Sequence, residues 1–381
     1  MSDEEVRPFR IEVPQEQLDD LARRLEATRR PDASSGAGWS RGIPPDCLPK
    51  PGEHRRTDYD WRAQEERLNR LPQFRTLIDG HDVHFVHVRS PHPDAMPLIL
   101  THGRPGSIVE FLDVIGPLTD PVAHGGTAAD AFHVVVPSLP GFGFSGPQPA
   151  GWSQRDTAKA WAELMRRLGH ERYAAHGGDL GSAVTYELAQ LDTRHVVAVH
   201  LTQLIFANAN AGNIDPDDPA EKRELERQQQ FDRELGAYAQ LQMTRPQSLA
   251  YALADSPVGQ LAWIVERFRD WTAAKDVPED AVDRDAMLTN VMIYWLNNTA
   301  GSSARAYWEM IRIVPPQPPF AQVPTAIAVM PDDIFHPVRR LAEPLANIVR
   351  WTGLPRGGHF PAMEQPDLLV ADLRDALRPH R

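Results

Sequence analysis

Residues 172–184 decide the fold, and they read Arg172-Tyr173-Ala174-Ala175-His176-Gly177-Gly178-Asp179-Leu180-Gly181-Ser182-Ala183-Val184. The pattern predicts a short strand, a tight turn centred on Asp179 and the start of a helix, which is the layout of a nucleophile elbow. Gly177 and Gly181 stand two residues before and after Asp179, where strand and helix approach too closely for a Cβ atom. The sequence therefore predicts that Asp179 is raised clear of a sheet as a candidate nucleophile.

An aspartate at this turn, where serine or cysteine is usual, selects a different chemistry. A serine that attacks a saturated carbon forms an ether, which water does not cleave at a useful rate. A carboxylate forms an ester with the same carbon, and the ester can be hydrolysed. Asp179 therefore favours substrates such as epoxides or alkyl halides. A second interpretation stays open, in which Asp179 is a loop residue whose side chain caps the helix at Leu180.

Composition restricts the partners. The chain has 381 residues, 24% of them charged, and a formal net charge of −12, so nothing indicates binding to nucleic acid or to an anionic membrane. Cys47 is the only cysteine, which excludes an internal disulfide and a cysteine metal cluster. Residues 1–5 are acidic and lack an apolar run, so we expect no secretion signal and no membrane anchor. These features predict a cytoplasmic protein.

The order of patterns along the chain predicts an α/β fold with a mostly parallel central sheet. Apolar runs at 98–101, 132–137 and 196–201 are typical of buried parallel strands, and helical patterns alternate with them. The predicted division is an N-terminal arm (1–74), a first part of the core (75–205), a helical lid (206–316) and a second part of the core (317–381). In the lid we expect helices over 217–242, 260–273 and 285–298, and the proline run at 315–319 marks the return to the core.

The sequence also supplies a candidate general base. His359 follows two glycines near the end of a predicted last strand, and the order of Asp179, an acid and His359 matches the nucleophile, acid and base order of α/β-hydrolases. The acid follows the predicted strand that ends near Pro331, which leaves Asp332 and Asp333 as candidates. His102 and His176 lie in or beside turns, where a structural role is the more common one.

Several motifs together resemble the microsomal-type epoxide hydrolases, in a soluble bacterial form with an N-terminal arm. The motifs run over nearly the whole chain: Arg7-Pro8-Phe9, Tyr59-Asp60-Trp61-Arg62, His102-Gly103 with Pro105-Gly106-Ser107, Gly177-Gly178-Asp179, Asp255-Ser256-Pro257-Val258-Gly259, Leu288-Thr289-Asn290-Val291-Met292 and Arg356-Gly357-Gly358-His359-Phe360. The resemblance implies an α/β-hydrolase fold with a helical lid and a wrapping arm.

The resemblance also implies roles for individual residues. Asp179 would be the nucleophile, His359 the base and Asp333 the acid that orients it, with Asp332 as a rival. Tyr307 and Tyr238 match the two lid tyrosines that donate hydrogen bonds to the epoxide oxygen.

In the implied two-step reaction, Asp179 attacks an epoxide carbon and water activated by His359 then hydrolyses the ester. The backbone N–H groups of Arg104 and Leu180 would hold the oxyanion. The partners would be a small epoxide and water, no metal or organic cofactor is expected, and a homodimer is left open.

Two positions depart from the family pattern. Arg104 and Leu180 stand where the family usually has tryptophan, so the pocket wall differs, and the Arg104 guanidinium could either stabilise free Asp179 or point away into a salt bridge. A haloalkane dehalogenase-like hydrolase is an alternative, although Leu180 cannot hold a leaving halide as tryptophan does there. A non-catalytic binder on the same scaffold is another. A serine esterase is the weakest, because no serine occupies the elbow.

Overall fold

One mixed sheet forms the centre of the molecule. The computed structural model describes residues 5–32, 38–47, 59–313 and 319–381, and within these ranges nine strands pair in the order β1-β2-β3-β5-β4-β6-β7-β8-β9. The strands are β1 (Arg7–Phe9), β2 (Gln73–Ile78), β3 (His81–Val88), β4 (Met96–Thr101), β5 (Phe132–Pro137), β6 (Tyr173–Gly177), β7 (Val196–Leu201), β8 (Ala321–Val329) and β9 (Ala346–Gly353).

The sheet is parallel from β4 onward and antiparallel at the edge formed by β1, β2 and β3. All six residues of β5 are buried, and neighbours along it join different apolar clusters: Val135 packs in one and Val134 and Val136 in the other. Because successive side chains point to opposite faces, both faces must be covered. The predicted α/β class with a mostly parallel sheet is confirmed.

Helices of the core cover these two faces. They are α3 (Leu112–Thr119), α4 (Gln154–Arg167), α5 (Leu180–Leu191), α12 (Arg339–Ala342), α13 (Pro361–Glu364) and α14 (Pro366–Leu377). Helix α4 begins with a capping box between Ser153 and Asp156 and buries Trp161 and Leu164 toward the sheet. No helix within the described ranges is long and apolar enough to cross a bilayer.

The segment between β7 and β8 is helical, as the sequence predicts. It contains α6 (Pro219–Gln230), α7 (Ala237–Thr244), α8 (Pro246–Asp255), α9 (Pro257–Asp270), α10 (Arg284–Leu296) and α11 (Ala300–Ile313). The single helix expected over 217–242 is wrong, because a π-helical turn (Phe231–Leu235) and Gly236 separate α6 from α7. Most of the proline run at 315–319, and with it the predicted lid boundary at 316, lies outside the described residues.

The N-terminal arm contacts both the sheet and the lid. It contributes β1, α1 (Gln15–Glu26) and α2 (Trp61–Asn69), and β1 extends the sheet by pairing with β2. Helix α1 ends at Glu26, and Arg24 bonds to Asp255 at the end of α8. The arm is thus built into the sheet edge while it packs on lid helices.

Candidate active site

The turn between β6 and α5 has the geometry of a nucleophile elbow. Asp179 has φ +52° and ψ −125°, a conformation that a residue with a side chain seldom adopts. A Cβ on Gly177 would lie well under 3.0 Å from the Gly181 carbonyl, and a Cβ on Gly181 equally close to the Thr101 carbonyl. Both positions therefore require glycine. The Asp179 side chain makes no capping hydrogen bond to α5, so the capping interpretation is wrong.

The Asp179 carboxylate lies between a backbone donor and a histidine. The Arg104 backbone N–H donates to Asp179 Oδ1 at 2.8 Å, and His359 Nε2 lies 3.7 Å from Oδ2. Leu180 opens α5, so its N–H is one of the first-turn amides that lack an intrahelical acceptor. Of the two amides proposed from the sequence for an oxyanion, that of Arg104 thus contacts this carboxylate directly, and that of Leu180 belongs to the next residue along the chain.

His359 is oriented by Asp333 and not by Asp332. His359 Nδ1 lies 2.9 Å from Asp333 Oδ1, which also accepts from the Ile334 backbone N–H at 2.7 Å. Asp333 is only 2% exposed, whereas Asp332 is an exposed residue. With its Nδ1 proton donated to Asp333, the ring points Nε2 toward Asp179, where Nε2 can act as a base once it has lost its own proton.

Charge around His359 keeps it protonated in the free protein. Burial alone lowers the pKa of an imidazole, but the nearby carboxylates of Asp333 and Asp179 outweigh burial and raise the pKa of His359 to about 9. The Asp179 contribution depends on the negative charge of that side chain. A neutral Asp179 would therefore lower the pKa of His359. More of the imidazole would then be in the neutral form, which is the form that can accept a proton.

Tyr238 and Tyr307 face Asp179 across a cavity of about 370 Å³. Their rings pack edge to face with centroids 6.2 Å apart, and both residues are buried. Burial, and then the charge of Asp179, raises the pKa of each phenol. Both hydroxyls therefore carry their protons at neutral pH and are available as donors. Leu180 also lines the cavity, so the residue that follows Asp179 is part of its wall.

The Arg104 side chain was expected either to stabilise the Asp179 carboxylate or to form a salt bridge elsewhere, and its observed contacts are with Ser303 and Tyr307. It is 2% exposed, its Nε donates to Ser303 Oγ at 3.2 Å, and its guanidinium carbon lies 6.0 Å from the centre of the Tyr307 ring. Among the described residues it forms no ion pair, so the expected salt bridge is wrong. Arg104 instead joins the loop after β4 to the lid helix α11.

His102 and His176 are buried structural residues. His102 Nδ1 donates to the Gly103 carbonyl and its Nε2 accepts from the Leu139 N–H, while burial lowers its pKa to about 4. His176 Nδ1 pairs with His200 Nδ1 at 2.9 Å below the elbow. Within the described ranges, no cluster of three or more His, Cys, Asp or Glu is placed to hold a metal ion.

Sequence reasoning missed three buried residues around this site. Gln203, just after β7, donates to Asp333 Oδ2. Glu364 accepts from the N–H groups of Gly358 and Phe360 and so holds the loop of His359. Glu110 has its pKa raised to about 8 by burial. Only the third had a sequence signal, a lone acid within the apolar stretch 108–112.

Two family models match the chain. Residues 6–111 match the model described as "Epoxide hydrolase N terminus", and residues 98–373 match "Alpha/beta hydrolase family". The first match covers the arm together with the antiparallel edge of the sheet, and the second covers the elbow, the lid and His359.

Relatives from bacteria, animals and fungi resemble nearly the whole chain. A "Putative epoxide hydrolase" from Stigmatella aurantiaca is 47% identical over 98% of this chain and 85% of its own length. "Epoxide hydrolase 1" from Sus scrofa is 34% identical over 98% and 88%. Among solved structures, the Aspergillus niger epoxide hydrolase superposes with a TM-score of 0.84 at 30% identity, covering 99% of this chain and 97% of its own.

Proposed function

Because the chain belongs to the epoxide hydrolase family and is an epoxide hydrolase, we propose that it opens its substrate to a vicinal diol through a covalent ester on Asp179. One observation carries the proposal: a carboxylate and two protonated phenols line one cavity, and an imidazole lies 3.7 Å from that carboxylate. The catalytic roles below rest on that geometry.

In the first step Asp179 attacks one oxirane carbon and the C–O bond to that carbon breaks. The ring oxygen leaves as an alkoxide and takes a proton from Tyr238 or Tyr307, whose hydroxyls donate to it beforehand. Burial keeps these phenols protonated, as a proton donor requires. The product of this step is a hydroxyalkyl ester of Asp179.

In the second step His359 removes a proton from water, which attacks the Asp179 ester carbonyl. The charge on the carbonyl oxygen is stabilised by the N–H groups of Arg104 and Leu180. The bond between the carbonyl carbon and the ester oxygen, which came from Asp179, then breaks, and that oxygen leaves in the diol with the proton that His359 had taken from water. The second water proton is released when Asp179 returns to the carboxylate, and it restores the phenol. Esterification has by then removed one of the charges that raise the pKa of His359, which favours its action as base.

Single-turnover hydrolysis in heavy-oxygen water tests the covalent route. With enzyme in excess over an aryl epoxide, we expect an unlabelled first diol and one heavy oxygen in the peptide that contains Asp179. Label in the first diol would show direct attack by water and refute the ester. A chloroalkane incubated in parallel should release no halide, since Leu180 offers it no donor.

Cell location and assembly are separate expectations. We propose a cytoplasmic enzyme, and fractionation of the producing cells checks this. Light scattering coupled to gel filtration distinguishes a monomer from the homodimer that the sequence left open.

A further inference from the structure

Gln203 occupies a fixed position beside the elbow. Strand β7 ends at Leu201, and the next residue, Thr202, continues alongside β6 by donating its N–H to the Gly177 carbonyl at 3.3 Å. Gln203 follows directly, is 3% exposed, and lines the same cavity as Asp179. Its side chain is therefore placed by the sheet and not by a mobile loop.

The Gln203 amide completes the hydrogen bonding of the acid. Gln203 Nε2 donates to Asp333 Oδ2 at 2.8 Å, while His359 and the Ile334 N–H occupy Oδ1. Each oxygen of this buried carboxylate thus has its own donors, and the plane of the carboxylate is fixed. The same Nε2 lies 3.3 Å from His359 Nδ1. This is a contact and not a hydrogen bond, because Nδ1 carries a proton that it donates to Asp333 and so cannot accept another.

We propose that Gln203 is a positioning residue for the second half-reaction, which fixes Asp333 so that His359 presents Nε2 to the hydrolytic water. The inference rests on the proposed two-step function and deepens it. Gln203 makes no hydrogen bond with Asp179, so ring opening by that carboxylate does not depend on the amide. The two half-reactions should therefore respond differently when the amide is removed.

Gln203→Met tests this, because methionine keeps the length and bulk of the side chain and lacks the donor. By rapid quench and intact-protein mass, we expect ester formation within about twofold of the parent and ester hydrolysis slower by about tenfold, as for loss of a charge-assisted hydrogen bond. The ester should accumulate during turnover.

The pH profile separates positioning from simple packing. Without the Gln203 amide, the Asp333 carboxylate has one hydrogen-bond donor fewer, and its charge raises the pKa of His359 further. Because His359 must be neutral to act as base, the pH midpoint for ester hydrolysis should move upward by about half a unit or more. Loss of packing alone would not move this midpoint.

Gln260→Met is the matched control. Gln260 is a buried glutamine whose Nε2 donates to the Val291 carbonyl within the lid, and it lines a cavity other than the one that Gln203 lines. We expect it to lower stability and leave the ratio of the two half-reactions and the pH midpoint unchanged.

The outcomes keep the two hypotheses apart. If the parent enzyme forms no ester on Asp179, the proposed function fails. If the parent forms the ester and Gln203→Met hydrolyses it at the parental rate and midpoint, only the role of Gln203 is refuted. Equal slowing of both half-reactions, in step with a lower Tm as in the control, also refutes it.

Discussion

At the residue scale, the central event of the proposed reaction is the loss of one negative charge when Asp179 forms the ester. Asp179 and Asp333 both raise the pKa of His359, but only Asp179 is consumed by ester formation. Asp333 takes no part in the ester and keeps its contact with His359 Nδ1. The proposed intermediate thus changes the imidazole from a counter-ion of the nucleophile into a base for water, with no movement of the ring.

Asp179→Asn imitates the charge of the ester. Because the Asp179 carboxylate raises the pKa of His359, we expect the variant to titrate His359 at lower pH than the parent, where it is about 9. NMR titration of nitrogen-15-labelled histidine measures the change. Asp332→Asn is the control, since Asp332 is exposed and does not contact the ring; an unchanged pKa in Asp179→Asn would contradict the electrostatic account.

His359→Gln should stop the reaction at the ester. Without the base we expect turnover to fall by about a thousandfold, within the usual contribution of general base catalysis, while ester formation continues. Intact-protein mass after incubation with an epoxide should show one substrate mass added to the chain. A variant that remains unmodified would place His359 in the first step as well.

At the element scale, the elbow depends on three backbone segments that touch. The α5 backbone at Gly181 packs against the end of β4 at Thr101, and β6 at Gly177 packs against the start of α5. This contact aims Asp179 out of the sheet. The local glycine pattern therefore encodes both the fold and the nucleophile, and for that reason the elbow could be predicted from the sequence.

Gly181→Ala should disrupt the elbow. The added methyl would overlap the Thr101 carbonyl, so backbone must shift, and we expect a loss of about 3 kcal/mol or more in the free energy of unfolding together with nearly all activity. Gly353→Ala is the control, since a Cβ there meets no atom within 4 Å. Urea unfolding and initial rates measure both; equal stability of the two variants would show that the contact is not restrictive.

The lid tyrosines lie on different elements, α7 and α11. If each phenol donates to the oxirane oxygen, Tyr238→Phe and Tyr307→Phe should each slow ester formation by about tenfold or more, and the double variant further. Ester hydrolysis should change much less. Stopped-flow fluorescence in a single turnover resolves the two rates; a single variant that slows only hydrolysis would remove that tyrosine from ring opening.

Other features of the lid and of the site could not be predicted from the sequence. Helix α7 is separated from α6 by a π-helical turn, which continuous charged and amphipathic periodicity does not reveal. Gln203 and Glu364 act through partners 130 and six residues away, respectively, and a lone amide or acid gives no pattern. Asp333 was separated from Asp332 only by family resemblance, since adjacent acids differ in burial and not in local sequence.

At the scale of the whole molecule, buried histidines make stability depend on pH. Burial lowers the pKa of His84 to about 3 and of His87, His102 and His170 to about 4. In the unfolded chain the pKa of each of these histidines is about 6.5. Below that pH the unfolded chain binds protons that the folded chain does not, so their contribution to stability is lost as the pH falls.

Two buried acids act in the opposite direction. The pKa of Glu110 is raised to about 8 and that of Glu364 to about 7, both chiefly by burial. Folded, they keep protons that the unfolded chain releases above about pH 4.5, so their contribution is lost as the pH rises. His359, with its raised pKa, acts in the same direction as the two acids. Between pH 5.0 and 6.5 the four histidines still outnumber these three groups, so stability should fall toward acid.

Urea unfolding at pH 5.0 and 6.5 tests this balance. We expect a lower midpoint at pH 5.0, and a difference between the two pH values that is smaller in His84→Gln, which removes one titrating group. Only the pH dependence is diagnostic, since the variant also loses bonds to Gln73 and Ser138. A parental midpoint that is the same at both pH values would contradict the assignment of neutral histidines.

The arm adds attachments between the sheet and the lid to those that the core already makes through Arg104. Its strand is hydrogen-bonded into the sheet edge, Arg24 holds the end of α8, and the Tyr59 hydroxyl meets Thr289 on α10. A hinged cover over the cavity would have to break all of these attachments with each catalytic cycle. We therefore expect reactant and diol to pass through an opening that exists throughout the catalytic cycle, so that the size of this opening, and not a hinge motion of the lid, limits which molecules reach Asp179.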